Sequence, residues 1–207
     1  MNKHLITEED INKLGLRAKQ ASYVVSTLDT KTKNDILIDA AENILKNKNK
    51  LISENEKDVL QNKEKLTSST LDRLILDDKR IESMCSGLVE ISKLEDPVGK
   101  IIEEWSRPNG LEIQKVSIPL GVIGVIYESR PNVAADAAGL CLKAGNTLIL
   151  RGGSESFLSS SLIVKLINDS LKKFKIPEGA LQNIPTKDRS AVGFLLKMSN
   201  YVDVIIP

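Results

Sequence analysis

From Gly121 to the end of the chain, short apolar runs alternate with longer amphipathic segments. The apolar runs occupy 121–127 (GVIGVIY), 147–150 (TLIL), 180–184 and 201–206 (YVDVII). Helical patterns lie between them, over Asn132–Lys143, Ser154–Phe174 (with a capping serine) and Lys187–Ser199. Strands that are apolar on both faces need cover on both faces, and intervening helices make successive strands parallel. The sequence therefore predicts an α/β fold with a doubly wound parallel sheet.

The residues before this region follow other patterns. An apolar stripe at helical spacing, opposite a face of Lys and Asn, predicts a helix that starts near Thr30 or Asp35. Further helices are expected from Ser53–Glu56 and over Ser69–Leu94. Strand-like runs on either side of Pro108-Asn109-Gly110 predict a β-hairpin arm, because Pro fixes φ and Gly permits positive φ. We divide the chain into a helical layer (1–95), a hairpin arm (98–118) and Rossmann-like βα units (119–207).

Composition excludes several classes of function. Lys and Arg number 29 and Asp and Glu 28, and aromatic residues make up only 3%, so neither nucleic acid nor a membrane is an expected partner. His4 is the only histidine and Cys85 and Cys141 form no CxxC pair, which argues against a metal site and a Ser-His-Asp triad. The start turns acidic where a signal peptide would be apolar, so we expect a cytoplasmic protein.

Two segments leave predicted strands and enter predicted helices, and they carry the candidate chemistry. Tyr127–Asn132 follows the first strand, and Arg151–Glu155 follows the second. Ligands of open parallel sheets bind at such strand ends, where glycines admit a ligand close to the backbone and an arginine pairs with phosphate. The sequence predicts a phosphorylated ligand, most simply a nucleotide. An equally weighted alternative is a plain strand-to-helix turn capped by Ser154, since neither GxGxxG nor GxxxxGK[ST] is present.

The stretch PLGVIGVIYESRPNVAADAAGLCLKAGNTLILRGGSES resembles the signature of γ-glutamyl phosphate reductases, a branch of the aldehyde dehydrogenase superfamily. ESRPNV points to the reductase branch, while IPEGALQNIP and VDVIIP fit the wider superfamily. The resemblance implies an aldehyde-dehydrogenase-like cofactor domain and reduction of γ-glutamyl phosphate to glutamate 5-semialdehyde with NADPH, a step of proline biosynthesis. It also implies a homo-oligomer that forms through the hairpin arm.

The same resemblance assigns roles to individual residues. Arg151 stands where a basic residue contacts the adenosine ribose or its 2′-phosphate, which suits NADP. The remaining cofactor-binding residues are Ile126, Tyr127, Glu128, Ser129, Gly152, Gly153, Ser154 and Glu155. Asn132 corresponds to an oxyanion donor, and Arg130 faces the acidic substrate or its phosphate. Thr186, Asp188 and Arg189 replace a glycine-rich turn and offer a weak cofactor contact.

The reductase mechanism requires a thiolate that attacks the acyl phosphate and forms a thioester, which hydride from NADPH then reduces. Cys85 and Cys141 lie in apolar helical patterns and are expected to be inert. In the family the nucleophile comes after the equivalent of Pro207, in a separate catalytic domain. We therefore expect an incomplete cofactor domain that is inactive alone. A non-catalytic remnant or interaction module, and one half of a split enzyme, remain alternatives.

Overall fold

The computed structural model describes residues 7–207, so the interpretation of His4 lies outside the described residues. The helices are α1 (Glu8–Val25), α2 (Thr30–Lys46), α3 (Lys48–Asn62), α4 (Ser68–Leu74), α5 (Asp78–Lys93), α6 (Val133–Lys143), α7 (Phe157–Lys173) and α8 (Ser190–Leu196). The strands are β1 (Ile101–Ser106), β2 (Glu112–Val116), β3 (Val122–Ile126), β4 (Thr147–Arg151), β5 (Leu181–Asn183) and β6 (Val204–Ile206).

Four strands form the predicted parallel sheet, in the order β5-β4-β3-β6. Side chains alternate between its two faces as strand geometry requires. In β4, Leu148 and Leu150 join one apolar core, and Ile149 between them joins the other. The predicted α/β fold with a doubly wound parallel sheet is confirmed.

The amino-terminal helices are shared between the two faces of the sheet. Helices α2, α3, α5, α6 and α7 contribute to the larger core, α8 contributes to the smaller one, and α1 contributes to both. Helix α1 is fixed to the sheet by polar contacts as well, since Thr147 Oγ1 donates to the Ala18 carbonyl and Gln182 Nε2 to the Leu14 carbonyl. No helix within residues 7–207 combines the length and the apolar character that crossing a membrane requires.

The predicted hairpin is present and projects from the body of the protein. Strands β1 and β2 pair antiparallel, and every residue of β1 is exposed. The turn closes where Arg107 N donates to the Leu111 carbonyl, and Gly110 takes a φ of +83° there. Apolar side chains such as Ile102 and Trp105 consequently face away from the two cores.

Two predicted helices of the amino-terminal region have different bounds in the structure. Helix α3 begins at Lys48, ahead of the predicted start at Ser53. The helix predicted over Ser69–Leu94 is divided into α4 and α5, because the backbone is extended at Ile75. The side chain of buried Asn55 hydrogen-bonds to the backbone on both sides of this break. Its Oδ1 accepts from Leu76 N at 2.7 Å, and its Nδ2 donates to the Leu74 carbonyl at 2.8 Å.

The interpretation of Ser154 as a helix-capping serine is wrong. Ser154–Ser156 form a separate 3-10 turn, and α7 begins at Phe157 without a side-chain cap from its own N-cap residue. Asp58 of α3 supplies the cap, because its carboxylate accepts from Leu158 N at 3.2 Å and Ser159 N at 2.8 Å. Burial raises the pKa of the Asp58 carboxyl, against the lowering effect of these donors.

Candidate functional site

The two candidate segments emerge at a reversal in the strand order. Strands β4 and β5 lie on one side of β3, and β6 lies on the other. The carboxyl ends of these parallel strands share one edge, and such a switch point is where open α/β sheets bind ligands. The loop Tyr127–Asn132 leaves β3 at this point, and Gly152–Gly153 leaves the adjacent strand β4.

A carboxylate joins the two loops. Glu155 Oε1 accepts from Ser129 N at 2.7 Å and from Ser129 Oγ at 2.9 Å. Ser129 has a φ of 51°, a left-handed conformation that costs a non-glycine residue energy and persists where neighbours enforce it. Burial alone would raise the pKa of the Glu155 carboxyl, but its own backbone amide and Ser129 hold that pKa below its usual value. We call this contact the Ser129–Glu155 clamp; no local sequence pattern predicts it.

The glycine pair is explained by packing inside the site. A Cβ at Gly152 would lie 2.8 Å from Tyr127 Oη, and a Cβ at Gly153 would collide with the Glu155 carboxylate. Neither position has room for a Cβ atom, because both contacts would be shorter than real Cβ contacts are. The backbone after β4 therefore lies directly against side chains from the loop after β3 and from the clamp.

Arg151 ends β4 and turns inward, with only 5% of its surface exposed. Its guanidinium donates to the Gly152 carbonyl, to the Asp188 carbonyl at 3.2 Å and to the Lys187 carbonyl at 3.4 Å. Its buried Nε has no hydrogen-bond partner within residues 7–207. Arg151 therefore holds the loop after β5 in place, and its Nε–H remains available to donate a hydrogen bond to a ligand.

That loop contains Thr186, Asp188 and Arg189 and precedes α8, which begins at Ser190 rather than at the predicted Lys187. Asp188 N donates to Thr186 Oγ1 at 3.1 Å, and Ser190 N donates to Asp188 Oδ1 at 2.9 Å. Arg189 is exposed, as is Lys187, whose Nζ lies 5.4 Å from the centre of the Phe157 ring. Lys187 and Arg189, together with Arg151, place positive charges at this edge of β4 and β5.

The second half of the loop after β3 leads into α6. Asn132 is the N-cap residue of α6, and its Nδ2 donates to Asp136 Oδ2 at 3.0 Å. Burial raises the pKa of the Asp136 carboxyl, with the Asn132 hydrogen bond acting in the opposite direction. Arg130, Asn132 and Asp136 border one open groove of about 530 Å³, whose other wall is formed by α4 and α5. We call it the α4–α6 groove.

Neither cysteine reaches these loops. Cys85 in α5 is 2% exposed and Cys141 in α6 is 8% exposed, both within the larger core. Burial raises the pKa of the Cys85 thiol to about 11 and that of Cys141 to about 12. Thiols with such pKa values are almost wholly protonated at neutral pH, and the thiolate is the nucleophilic form. The part of the chain that the structure describes also brings no group of three or more His, Cys, Asp or Glu side chains together as a metal site.

Comparison with known proteins agrees with this architecture. The family model "Aldehyde dehydrogenase family" matches residues 1–206. A γ-glutamyl phosphate reductase from Caldanaerobacter subterraneus is 53% identical over 192 residues, which cover 92% of this chain and 46% of that protein. A relative from Syntrophomonas wolfei with the same description is 46% identical over 208 residues, covering 100% of this chain and 49% of its own length.

Solved structures give the same picture. The crystal structure of γ-glutamyl phosphate reductase from Thermotoga maritima has a TM-score of 0.92 at 37% identity, covering 95% of this chain and 48% of that one. Its counterpart from Saccharomyces cerevisiae has a TM-score of 0.88 at 32% identity, covering 99% and 51%. The chain thus spans about half the length of the relatives it matches, and the resemblance found in its sequence is confirmed. The family implies a nicotinamide cofactor, and with its sequence matched from residue 1 to 206 the chain belongs to the aldehyde dehydrogenase family.

Proposed function

We propose that this chain provides the cofactor-binding part and one wall of the substrate site of an NADP-dependent γ-glutamyl phosphate reductase. The reaction is reduction of γ-glutamyl phosphate to glutamate 5-semialdehyde in proline biosynthesis. One observation carries the proposal: a chain 53% identical to such a reductase has two strand-end loops clamped together at a switch point of its sheet. Binding at that place is the general behaviour of open α/β sheets.

The residues at the edge of β4 and β5 fit a nicotinamide dinucleotide with a phosphorylated ribose. The buried Nε of Arg151 lacks a partner within the described residues, and the cations of Lys187 and Arg189 lie on the loop that Arg151 holds. We propose that Arg151, Gly152, Gly153, Ser154 and Glu155 form the adenosine end of the cofactor pocket. Ile126, Tyr127, Glu128 and Ser129 would line the path toward the substrate. When bound, NADPH supplies the hydride.

The other half of the β3 loop would serve the substrate. Asn132 has a second amide hydrogen beyond the one given to Asp136, and we propose that it stabilises the oxyanion of the reacting acyl group. Arg130 is exposed beside it and would face the substrate's negative charge. The nucleophilic thiolate is not provided by Cys85 or Cys141, because both are buried away from these loops and have raised pKa values.

Two consequences follow for the protein as a whole. Because the chain brings no exposed thiol to the site, we propose that it is inactive alone and works as part of a complete or split reductase in the cytoplasm. The exposed apolar side chains of the hairpin arm, among them Ile102 and Trp105, favour a homo-oligomer formed through that arm.

The division into 1–95, 98–118 and 119–207 remains a proposal. A non-catalytic remnant is the competing interpretation, and cofactor binding separates it from a reductase.

Cofactor binding tests the proposal directly. Titration of the chain with NADPH and with NADH, followed by calorimetry, should show saturable binding that favours NADPH. Arg151→Ala should weaken NADPH about tenfold or more and NADH much less, since one charge-assisted hydrogen bond contributes about 1.5–3 kcal/mol. Arg107→Ala, on the exposed hairpin turn, is the matched control. Equal losses for both cofactors would show that Arg151 only organises the loop, and no binding of either would contradict the proposal.

A further inference from the structure

The α4–α6 groove carries charges that the fold leaves unpaired. Of its charged side chains, Arg80 is held within the protein, because its guanidinium contacts the Asp72 carboxylate at 2.8 Å and the Ile75 carbonyl at 3.0 Å. Arg73, on the same wall, has no hydrogen-bond or ion-pair partner in residues 7–207. One positive charge from α4 therefore faces the groove without a counter-ion.

The opposite wall offers the complementary charge. Asp136 uses one carboxylate oxygen to accept from Asn132 Nδ2. Its other oxygen, Oδ1, faces Gly87 of α5, where even an added Cβ would remain 3.9 Å away. A carboxylate has about four lone-pair sites, so Asp136 keeps capacity for a further donor. The carboxyl is partly buried, and that burial makes an unpaired negative charge costly and a cationic ligand favourable.

From this pair of charges we propose that the α4–α6 groove recognises the zwitterionic end of an α-amino acid, with Asp136 accepting from the α-ammonium and Arg73 pairing with the α-carboxylate. The inference rests on the proposed function and deepens it, because it names the residues that select a glutamyl substrate over other acyl phosphates. Arg73 suits a carboxylate particularly well, since a guanidinium binds it in bidentate fashion.

The position of Asp136 links recognition to the reaction. The side chain that would receive the ammonium is hydrogen-bonded at 3.0 Å to the proposed oxyanion donor Asn132. In a glutamyl group two methylenes separate the α-carbon from the reacting acyl carbon, so both ends must lie close together. A substrate whose ammonium is held by Asp136 thus has its acyl group delivered near Asn132. Such placement is how contacts remote from the reacting bond promote a reaction.

Three stable probes separate the two contacts when titrated into the chain of residues 1–207 and followed by NMR. L-Glutamate carries both α groups, glutarate lacks the α-ammonium, and 4-aminobutyrate lacks the α-carboxylate. The wild-type chain should bind L-glutamate about tenfold more tightly than either of the other two, the effect of one charge-assisted contact. Equal binding of all three, or no saturable binding of L-glutamate, would overturn the inference.

Variants then assign the selectivity to the two side chains. Asp136→Asn should weaken L-glutamate about tenfold and leave glutarate unchanged, while its amide oxygen can still accept from Asn132 and preserve α6. Arg73→Gln should weaken L-glutamate about tenfold and leave 4-aminobutyrate unchanged. Arg107→Gln, on the hairpin turn, is the control and should change nothing. Unaltered selectivity in Asp136→Asn and Arg73→Gln would contradict the inference; if NADPH still binds these samples, the proposed function stands without it.

Discussion

Removing the carboxylate of the Ser129–Glu155 clamp should destabilise the protein measurably. In Glu155→Ala, the acceptor of two hydrogen bonds, at 2.7 Å from Ser129 N and 2.9 Å from Ser129 Oγ, is lost. Hydrogen bonds to a charged group contribute about 1.5–3 kcal/mol each, but two that share one partly exposed carboxylate do not add fully. We expect a loss of about 2 kcal/mol in the free energy of unfolding. For a protein of this size that lowers Tm by about 4–8 °C.

Differential scanning calorimetry measures this loss, and Glu178→Ala is the matched control because Glu178 is exposed. The control should change the free energy of unfolding by no more than about 0.5 kcal/mol. Ser129→Gly removes Oγ and relieves the positive φ of 51°. In that background, Glu155→Ala should lower the free energy of unfolding clearly less than it does in the wild-type chain. If Glu155→Ala proves as mild as Glu178→Ala, or costs the same in both backgrounds, the clamp does not hold the two loops together.

Two further predictions concern parts of the fold that support the site. Asp58→Asn should lower the free energy of unfolding by about 1–3 kcal/mol, because one of the two oxygens that accept from Leu158 N and Ser159 N becomes an amide NH2, which cannot accept. Denaturant unfolding beside the exposed-site variant Glu56→Gln checks this, and equal midpoints would contradict the cap. Burial would raise the pKa of the Asp203 carboxyl, but Val122 N and Lys19 hold it below its usual value of 3.8. Its stabilising contribution is therefore complete above that value and is lost as pH falls through the lower folded pKa. In Asp203→Asn the free energy of unfolding should fall less steeply as the pH is lowered into the acid range. An unchanged slope would contradict the assignment.

Local patterns were enough to predict most of the elements that carry the site. The run GVIGVIY contains β3, and TLIL with the following Arg151 is β4, because strands buried on both faces need continuous apolar sequence. The same reasoning placed Arg130 and Asn132 on one loop at the strand ends. The structure adds that this loop leaves at the switch point, which depends on the strand order and cannot be read from any single segment.

Contacts between distant segments could not be predicted in this way. The cap of α7 comes from Asp58, about a hundred residues earlier in the chain, so the nearby Ser154 was the only visible candidate. Lys33 of α2 is fully buried and pairs with Asp96 at 2.7 Å, a contact that helical spacing does not indicate. Arg73 and Asp136 line the same groove only because the fold places α4 and α5 beside α6. In the first two cases a polar side chain is explained by a partner that is remote in sequence.

We propose that this chain supplies a reductase with binding loops and no nucleophile. The most direct test is an assay of NADP reduction with glutamate 5-semialdehyde and phosphate. It compares the chain alone with the chain mixed with the carboxyl-terminal half of the Caldanaerobacter subterraneus relative. We predict turnover only in the mixture, and we predict that it survives Cys85→Ser combined with Cys141→Ser. Steady turnover by the chain alone that the double substitution abolishes would contradict the account.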